Sequence, residues 1–150
     1  YMAGSMGCAG SLGLGAALQN PSANIVVIEG DGALLMRLES MVSIGQYHPE
    51  NLIHILLDNE VHDSTGGQST LSPGVDFASL AIASGYAWAT AVNEKEDFHQ
   101  ALREAQNVNG PSLVHLKITQ GSKSPLGRPE IEPADLTQRF RNSVCNNNRG

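Results

Sequence analysis

Two residues with chemical potential stand at comparable places in the sequence. Asp31 sits between two glycines in "EGDGALLM" (29–36), directly after the apolar run "IVVI", and Asn59 sits in "LLDNEV", directly after the apolar run "LIHILL". In an open α/β sheet, ligands collect at the carboxyl ends of the strands, so neighbouring strands would bring these two turns together. A carboxylate beside a carboxamide is a pair of hard oxygen donors. It is too weak to cage calcium alone, but it suits Mg²⁺, which holds octahedral geometry and shares its ligands with phosphate oxygens. Gly30 and Gly32 permit the tight turn, and the backbone N–H groups of Gly32 and Ala33 open a helix, an end that binds anions. The pattern therefore offers a cation seat and a diphosphate seat side by side.

Charge agrees with that reading. Lys and Arg number 9 against 15 Asp and Glu, a formal net charge of −6, and the basic residues are scattered. This argues against nucleic acid or an anionic membrane as partner, and any bound anion must be neutralised locally, by backbone dipoles or a metal. Cys8 and Cys145 form neither a metal-ligand spacing nor a disulfide framework, which makes a reducing, cytoplasmic setting the default. No apolar stretch reaches the length of a membrane span, and no signal segment opens the chain. The opening "YMAGSMG" reads as part of a longer protein.

Other candidates carry two readings each. His62, Asp63, Ser64 and Thr65 follow the second turn directly, so they either border a reacting centre or form an ordinary polar loop. His54 and His115, inside apolar runs, read as structural histidines, and Glu39 as a solvated or interface carboxylate. Lys123 and Arg128 meet either an anionic substrate group or water. A Gly-Asp-Gly alone is common at strand-to-helix turns, where Asp caps and Gly relaxes φ. "GSMGCAG" lacks both the preceding strand and the spacing of a dinucleotide fingerprint.

The elements that must position these residues follow from periodicity. "GCAGSLGLGAALQNP" predicts a close-packed helix ending before Pro21, and "NIVVIE" a strand covered on both faces. Leu34, Leu35, Leu38, Met41, Val42 and Gly45 predict one helix after the Gly-Asp-Gly turn, and "NLIHILLDN" a second buried strand. "EVHDSTGGQSTLSPG" is a polar loop, long enough to be functional. "VDFASLAIASG" predicts a helix started near Asp76 and stopped at Gly85, before the strand "YAWATAV". Asn93 and Glu96 are spaced as a capping box for "EKEDFHQALREAQNV", and "SLVHLKI" forms the last strand. Alternating strands and helices imply an α/β fold, a mostly parallel sheet with helices on both faces, over residues 1–120. Residues 121–150 predict a partly irregular C-terminal tail, with a short helix after Pro133.

"GDGALLM" followed by "LLDNEV" resembles the cofactor-binding motif of the thiamine diphosphate-dependent enzymes, which opens with Gly-Asp-Gly and closes with Asn. The resemblance covers residues 4–129 and implies the thiamine diphosphate-binding fold, with Asp31, the Asn59 side chain and the Val61 carbonyl as ligands to Mg²⁺. Asp58 stands where the family often has Asn. "GSMGCAGSLGLGAAL" is similar to the segment of the family's decarboxylases that meets the aminopyrimidine ring, which brings in Gly4, Ser5 and Met6, the last as a wedge that keeps the cofactor bent. Together with Gly30, Asp31, Gly32, Ala33, Asn59 and Val61 these make the cofactor-binding set, and His62, Asp63 and Ser64, which follow the metal turn directly, are the catalytic candidates. "GSMG", "VHDSTGGQST" and "LGRP" are most similar to the family's phosphonopyruvate-decarboxylating branch. A sulfopyruvate decarboxylase, an acetolactate synthase-like condensing enzyme and a non-catalytic cofactor-binding fragment are the alternatives. The family's activating glutamate lies on a pyrimidine-binding domain that no segment here matches. The resemblance therefore implies a partner domain or subunit, an oligomer, and a chain that does not turn over a 2-oxo acid by itself.

Overall fold

The computed structural model describes residues 2, 4–121, 125, 127 and 129–146. Helix α1 (Ala9–Gln19) leads into strand β1 (Ile25–Gly30), the paired helices α2 (Asp31–Met36) and α3 (Glu39–Tyr47), and strand β2 (Leu52–Asp58). Two short strands follow, β3 (Val61–His62) and β4 (Gln68–Ser69). The chain then forms α4 (Phe77–Ser84), β5 (Trp88–Val92), α5 (Lys95–Ala105), β6 (Ser112–Lys117) and α6 (Pro133–Asn146). The main sheet runs β1-β2-β6-β5 with every pairing parallel.

The two faces of the sheet are covered differently. On one, Val27, Leu52, Leu56 and Leu113 pack with Leu14 of α1, Met41 and Ile44 of α3, and Phe77 and Ala81 of α4. On the other, Ile53, Ile55 and Val114 pack against Ala101 and Ala105 of α5. Fully burying aliphatic side chains of this size stabilises the fold by roughly 1.5–3 kcal/mol each, before the entropy of ordering them is set against it.

Several elements depart from the sequence expectations. β1 is an edge strand, and Val26 and Ile28 on its outer face are 51% and 62% exposed rather than covered. The helix after the Gly-Asp-Gly turn is broken at Arg37 (φ −139°, ψ 47°), where α2 stops. Because Ser40 N–H still bonds Arg37 O and Met41 N–H bonds Leu38 O, one non-helical residue divides the helix without losing its buried face. The long polar segment contains the antiparallel pair β3–β4, closed by N–H groups of Thr65, Gly66 and Gly67 that all reach His62 O. As expected, Asp76 caps α4, accepting from Ser79 N–H at 3.0 Å, and Gly85 ends it at φ 104°. The capping box at Asn93 does not form: α5 starts one residue later, after Glu94, with no side-chain cap. α6 is 14 residues long, well beyond a short helix.

Candidate functional site

The parallel pairing of β1 and β2 aligns Gly30 with Leu57, so the chain leaves both strands at the same edge of the sheet and Asp31 and Asn59 emerge side by side. A cavity of about 330 Å³ opens there. It is lined by Met6, Gly30, Asp31, Gly32, Ala33, Asn59, Val61, His62, Asp63 and Ser64, ten of the sequence-derived candidates, with Ile28, Glu29, Leu57 and Ile118 completing the wall. Gly4 and Ser5 do not join them; they line a second cavity between β1, α1 and α6. Lys123 and Arg128 lie outside the described residues.

Asp31 is the first residue of α2 and only 1% exposed. Thr70, beyond β4, donates its hydroxyl to Asp31 Oδ2 at 2.5 Å, and the Thr70 backbone N–H bonds Glu60 O at 2.9 Å. One buried threonine therefore ties the first turn to the second. Among the described residues no other side chain donates to Asp31, so its Oδ1 has no side-chain donor.

The second turn is fixed just as closely. Asn59 Oδ1 accepts the Val61 N–H at 3.2 Å, and its Nδ2 donates to Asp63 Oδ2 at 2.7 Å. Asp63 Oδ2 also accepts the Gly121 N–H at 2.9 Å. With two donors on one oxygen, Asp63 serves to orient the Asn59 carboxamide. Between Asn59 and Val61, Glu60 adopts the left-handed conformation at φ 65°, uncommon for a residue with a side chain.

Asp58, at the end of β2, is a fully buried hub. Its Oδ1 accepts from Ser72 Oγ at 2.6 Å and from Glu60 N–H at 3.1 Å, and its Oδ2 lies 2.8 Å from both His115 Nε2 and Lys117 Nζ. Burial alone would raise the carboxyl pKa, but the hydrogen bonds from Lys117, Ser72 and His115, with the Lys117 charge, hold it below the ordinary carboxylate value. Lys117 is held above the ordinary lysine value: burial opposes its charge, and hydrogen bonds to Asp58 and Glu60 outweigh burial. His115 also packs edge-on against Phe77, ring centres 5.2 Å apart. His54 is structural in the same sense. Its Nδ1 lies 3.0 Å from the Tyr86 hydroxyl and its Nε2 3.3 Å from Glu29 Oε2. Burial first, and the Glu29 charge second, raise the Tyr86 pKa. Glu39 is exposed, 3.6 Å from Arg37.

Two glycines are set by close approach. A Cβ on Gly32 would lie 2.3 Å from His62 Cε1, so the imidazole rests directly on the first turn of α2. Gly7, at φ 85°, would place a Cβ 2.7 Å from Ala33 O. The Gly4–Gly7 loop, with Ser5 at φ 51°, thus packs onto α2 and leaves Met6, 42% exposed, at the cavity wall. Nothing in the sequence singles out Thr70 or Lys117: Thr70 is one hydroxyl in a polar stretch, and Lys117 meets Asp58 only through the β2–β6 register.

A carboxylate and a carboxamide on residues lining one cavity offer oxygen donors that a hard divalent cation takes, and Val61 lines the same cavity. Among the described residues no cluster of three or more His, Cys, Asp or Glu offers an alternative metal site. The residues present therefore fit Mg²⁺ with a diphosphate.

A parallel sheet, a Gly-Asp-Gly turn and an Asn turn meeting at one strand edge define a cofactor-binding α/β domain. The chain belongs to the thiamine pyrophosphate enzyme family as its C-terminal TPP-binding domain, the family model matching residues 1–116. It is 50% identical over 141 residues to a phosphonopyruvate decarboxylase of Streptomyces viridochromogenes, covering 94% of this chain and 35% of that protein. It is 37% identical over 145 residues to the sulfopyruvate decarboxylase subunit beta of Methanocaldococcus jannaschii, covering 96% of this chain and 76% of that subunit. The chain thus spans about a third of the length of the first relative and about three quarters of the second. In fold it matches a thiamine diphosphate-dependent 4-hydroxybenzoylformate decarboxylase of Rhodococcus jostii RHA1, with TM-score 0.68 and 24% identity over 79% of this chain and 24% of that one. No described helix is long and apolar enough to cross a membrane.

Proposed function

We propose that this chain is the diphosphate-binding half of a thiamine diphosphate-dependent decarboxylase that converts 3-phosphonopyruvate to phosphonoacetaldehyde and carbon dioxide. The observation that carries the reading is the meeting of the Asp31 and Asn59 turns on one cavity at neighbouring parallel strand ends. The substrate follows from the Streptomyces relative at 50% identity.

Asp31, Asn59 and the Val61 carbonyl would hold Mg²⁺, and the Gly32 and Ala33 N–H groups would bind the diphosphate. Thr70 and Asp63 keep the two ligand side chains in place. Met6, at the cavity wall, would pack against the cofactor. When bound, the cofactor's thiazolium ring supplies the electron sink for loss of carbon dioxide. His62 and Ser64 border the reacting end and offer polar hydrogens to the substrate, and Asp63 acts through Asn59. A pyrimidine-binding domain or subunit supplies the activating glutamate and closes the cavity against water, and the working enzyme is an oligomer. A compartment that keeps Cys8 and Cys145 as free thiols, such as the cytoplasm, suits the chain.

A second reading has its own support. Similarity over 96% of the chain to a sulfopyruvate decarboxylase beta subunit favours a hetero-oligomer acting on 3-sulfopyruvate. The test combines this chain with a candidate pyrimidine-binding partner, Mg²⁺ and thiamine diphosphate, and measures carbon dioxide release from each acid. Faster turnover of 3-phosphonopyruvate, abolished by Asp31→Ala, supports the first reading. Preference for 3-sulfopyruvate selects the second.

A further inference from the structure

Glu60 separates the two residues of the second turn that face the cavity, and its left-handed backbone decides where both point. It is gripped at every polar group: its N–H by Asp58 Oδ1 at 3.1 Å, its carbonyl by Thr70 N–H at 2.9 Å, and its carboxylate by Lys117 Nζ at 2.7 Å. Lys117 Nζ also lies 2.8 Å from Asp58 Oδ2. The lysine is the last residue of β6 and pairs in register with Asp58, and the Ile118 N–H bonds Asp58 O at 2.9 Å. The sheet itself therefore delivers one ammonium group between two carboxylates that flank Asn59.

We propose that Lys117 is a positioning residue for the cation site: by bridging Asp58 and Glu60 it fixes the Asn59–Val61 turn in the shape a six-coordinate Mg²⁺ requires and keeps both flanking carboxylates away from the ion. The inference rests on the Mg²⁺–diphosphate reading of the cavity. Asp58 is fully buried with all four of its donors in place, whereas Glu60 has 43% of its side chain exposed and is held back by Lys117. Removing the ammonium frees the carboxylate of Glu60, the residue between Asn59 and Val61, and loosens the left-handed turn. Mg²⁺ demands near-ideal octahedral geometry at short distances, while Ca²⁺ accepts six to eight oxygens in flexible arrangements. A loosened turn with an added carboxylate thus penalises Mg²⁺ selectively.

The test is calorimetric titration of the wild-type chain, Lys117→Met and Glu60→Gln with thiamine diphosphate and either Mg²⁺ or Ca²⁺, at a temperature where circular dichroism shows each folded. Lys117→Met is expected to weaken Mg²⁺-dependent binding by about 10- to 100-fold, the usual cost of losing an outer partner of a metal site. Ca²⁺-dependent binding should fall less than about threefold, because its coordination tolerates the looser turn. Glu60→Gln keeps the Asp58–Lys117 pair, so it folds even where Lys117→Met does not, and it should lower Mg²⁺ relative to Ca²⁺ in the same direction by a smaller factor. A lower melting temperature with the wild-type Mg²⁺-to-Ca²⁺ ratio would show that Lys117 only stabilises the fold, and would overturn the inference alone. Wild-type chain that, combined with a pyrimidine-binding partner, binds thiamine diphosphate with neither ion would overturn the cavity reading beneath it.

Discussion

Thr70→Val removes one hydroxyl and changes little else in shape. Thr70 is 8% exposed; its hydroxyl donates to Asp31 Oδ2 and accepts a long bond, 3.3 Å, from Ser72 N–H, while its own N–H bond to Glu60 O survives the substitution. The loss is a hydrogen bond to a buried carboxylate, about 2 kcal/mol, since bonds to charged groups contribute more than neutral ones. For a chain of this length that lowers the melting temperature by about 4–8 °C. Because Thr70 aims Asp31, Mg²⁺ affinity in the presence of thiamine diphosphate should fall about tenfold as well. Thr70→Ser keeps the hydroxyl and loses only a methyl group, so it should retain cofactor affinity and cost about 1 kcal/mol. Thermal melts and calorimetry on the three proteins give both readings. If Thr70→Val melts within about 1 °C of wild type and binds equally well, the tie between the two turns does not exist. A Thr70→Ser variant that loses as much affinity as Thr70→Val would assign the effect to packing instead.

Three further outcomes are expected. Asp58, depressed below the ordinary carboxylate value of 3.8, contributes stability that is complete above that value and lost as pH falls through its lower folded value, whereas Lys117, raised above 10.5, contributes stability that is complete below 10.5 and lost as pH rises through its higher folded value. Melting temperature against pH should show a plateau bounded by these two groups, and Asp58→Asn should lower the plateau and flatten its acid limb; an acid limb unchanged in the variant would contradict the hub. Gly45→Ala places a Cβ 1.8 Å from the Ser84 carbonyl oxygen, a backbone atom that cannot rotate away, and should cost about 3 kcal/mol in urea titration by forcing α3 and α4 apart. Gly15→Ala, with nothing within 4 Å, should instead stabilise α1 by about 0.5–1 kcal/mol, and equal effects at the two sites would refute the close helix crossing. The 150-residue chain without a partner should release no carbon dioxide from 3-phosphonopyruvate, and turnover under those conditions would contradict the need for a second domain.

The site was more legible in the sequence than its surroundings. Asp31 and Asn59 could be paired because each ends an apolar run, and parallel strands bring such ends to one edge whatever lies between them. The runs themselves say less about what covers them. "IVVI" has the composition of a strand buried on both faces, but Val26 and Ile28 are exposed because β1 is the sheet edge, a property of strand order rather than of the segment. Leu34, Leu38 and Met41 keep helical spacing across a real break, since one residue at Arg37 leaves the helix and the face resumes in phase. Polar partners were the least readable. Thr70 reaches Asp31 across 39 positions and Lys117 reaches Glu60 across 57, distances over which neither composition nor periodicity carries information. Gly4 and Ser5 illustrate the converse: adjacency to Met6 in sequence did not bring them to its cavity, because the loop turns through left-handed residues at Gly4 and Ser5.

The most direct measurement is isothermal titration of the wild-type chain and Asp31→Ala with thiamine diphosphate, with Mg²⁺ and with EDTA in its place. Saturable binding that requires Mg²⁺ and disappears in Asp31→Ala, while Asn59→Ala gives the same loss, is the predicted result. Binding that persists without Mg²⁺, or that survives either substitution, would mean that the two turns do not share one ion.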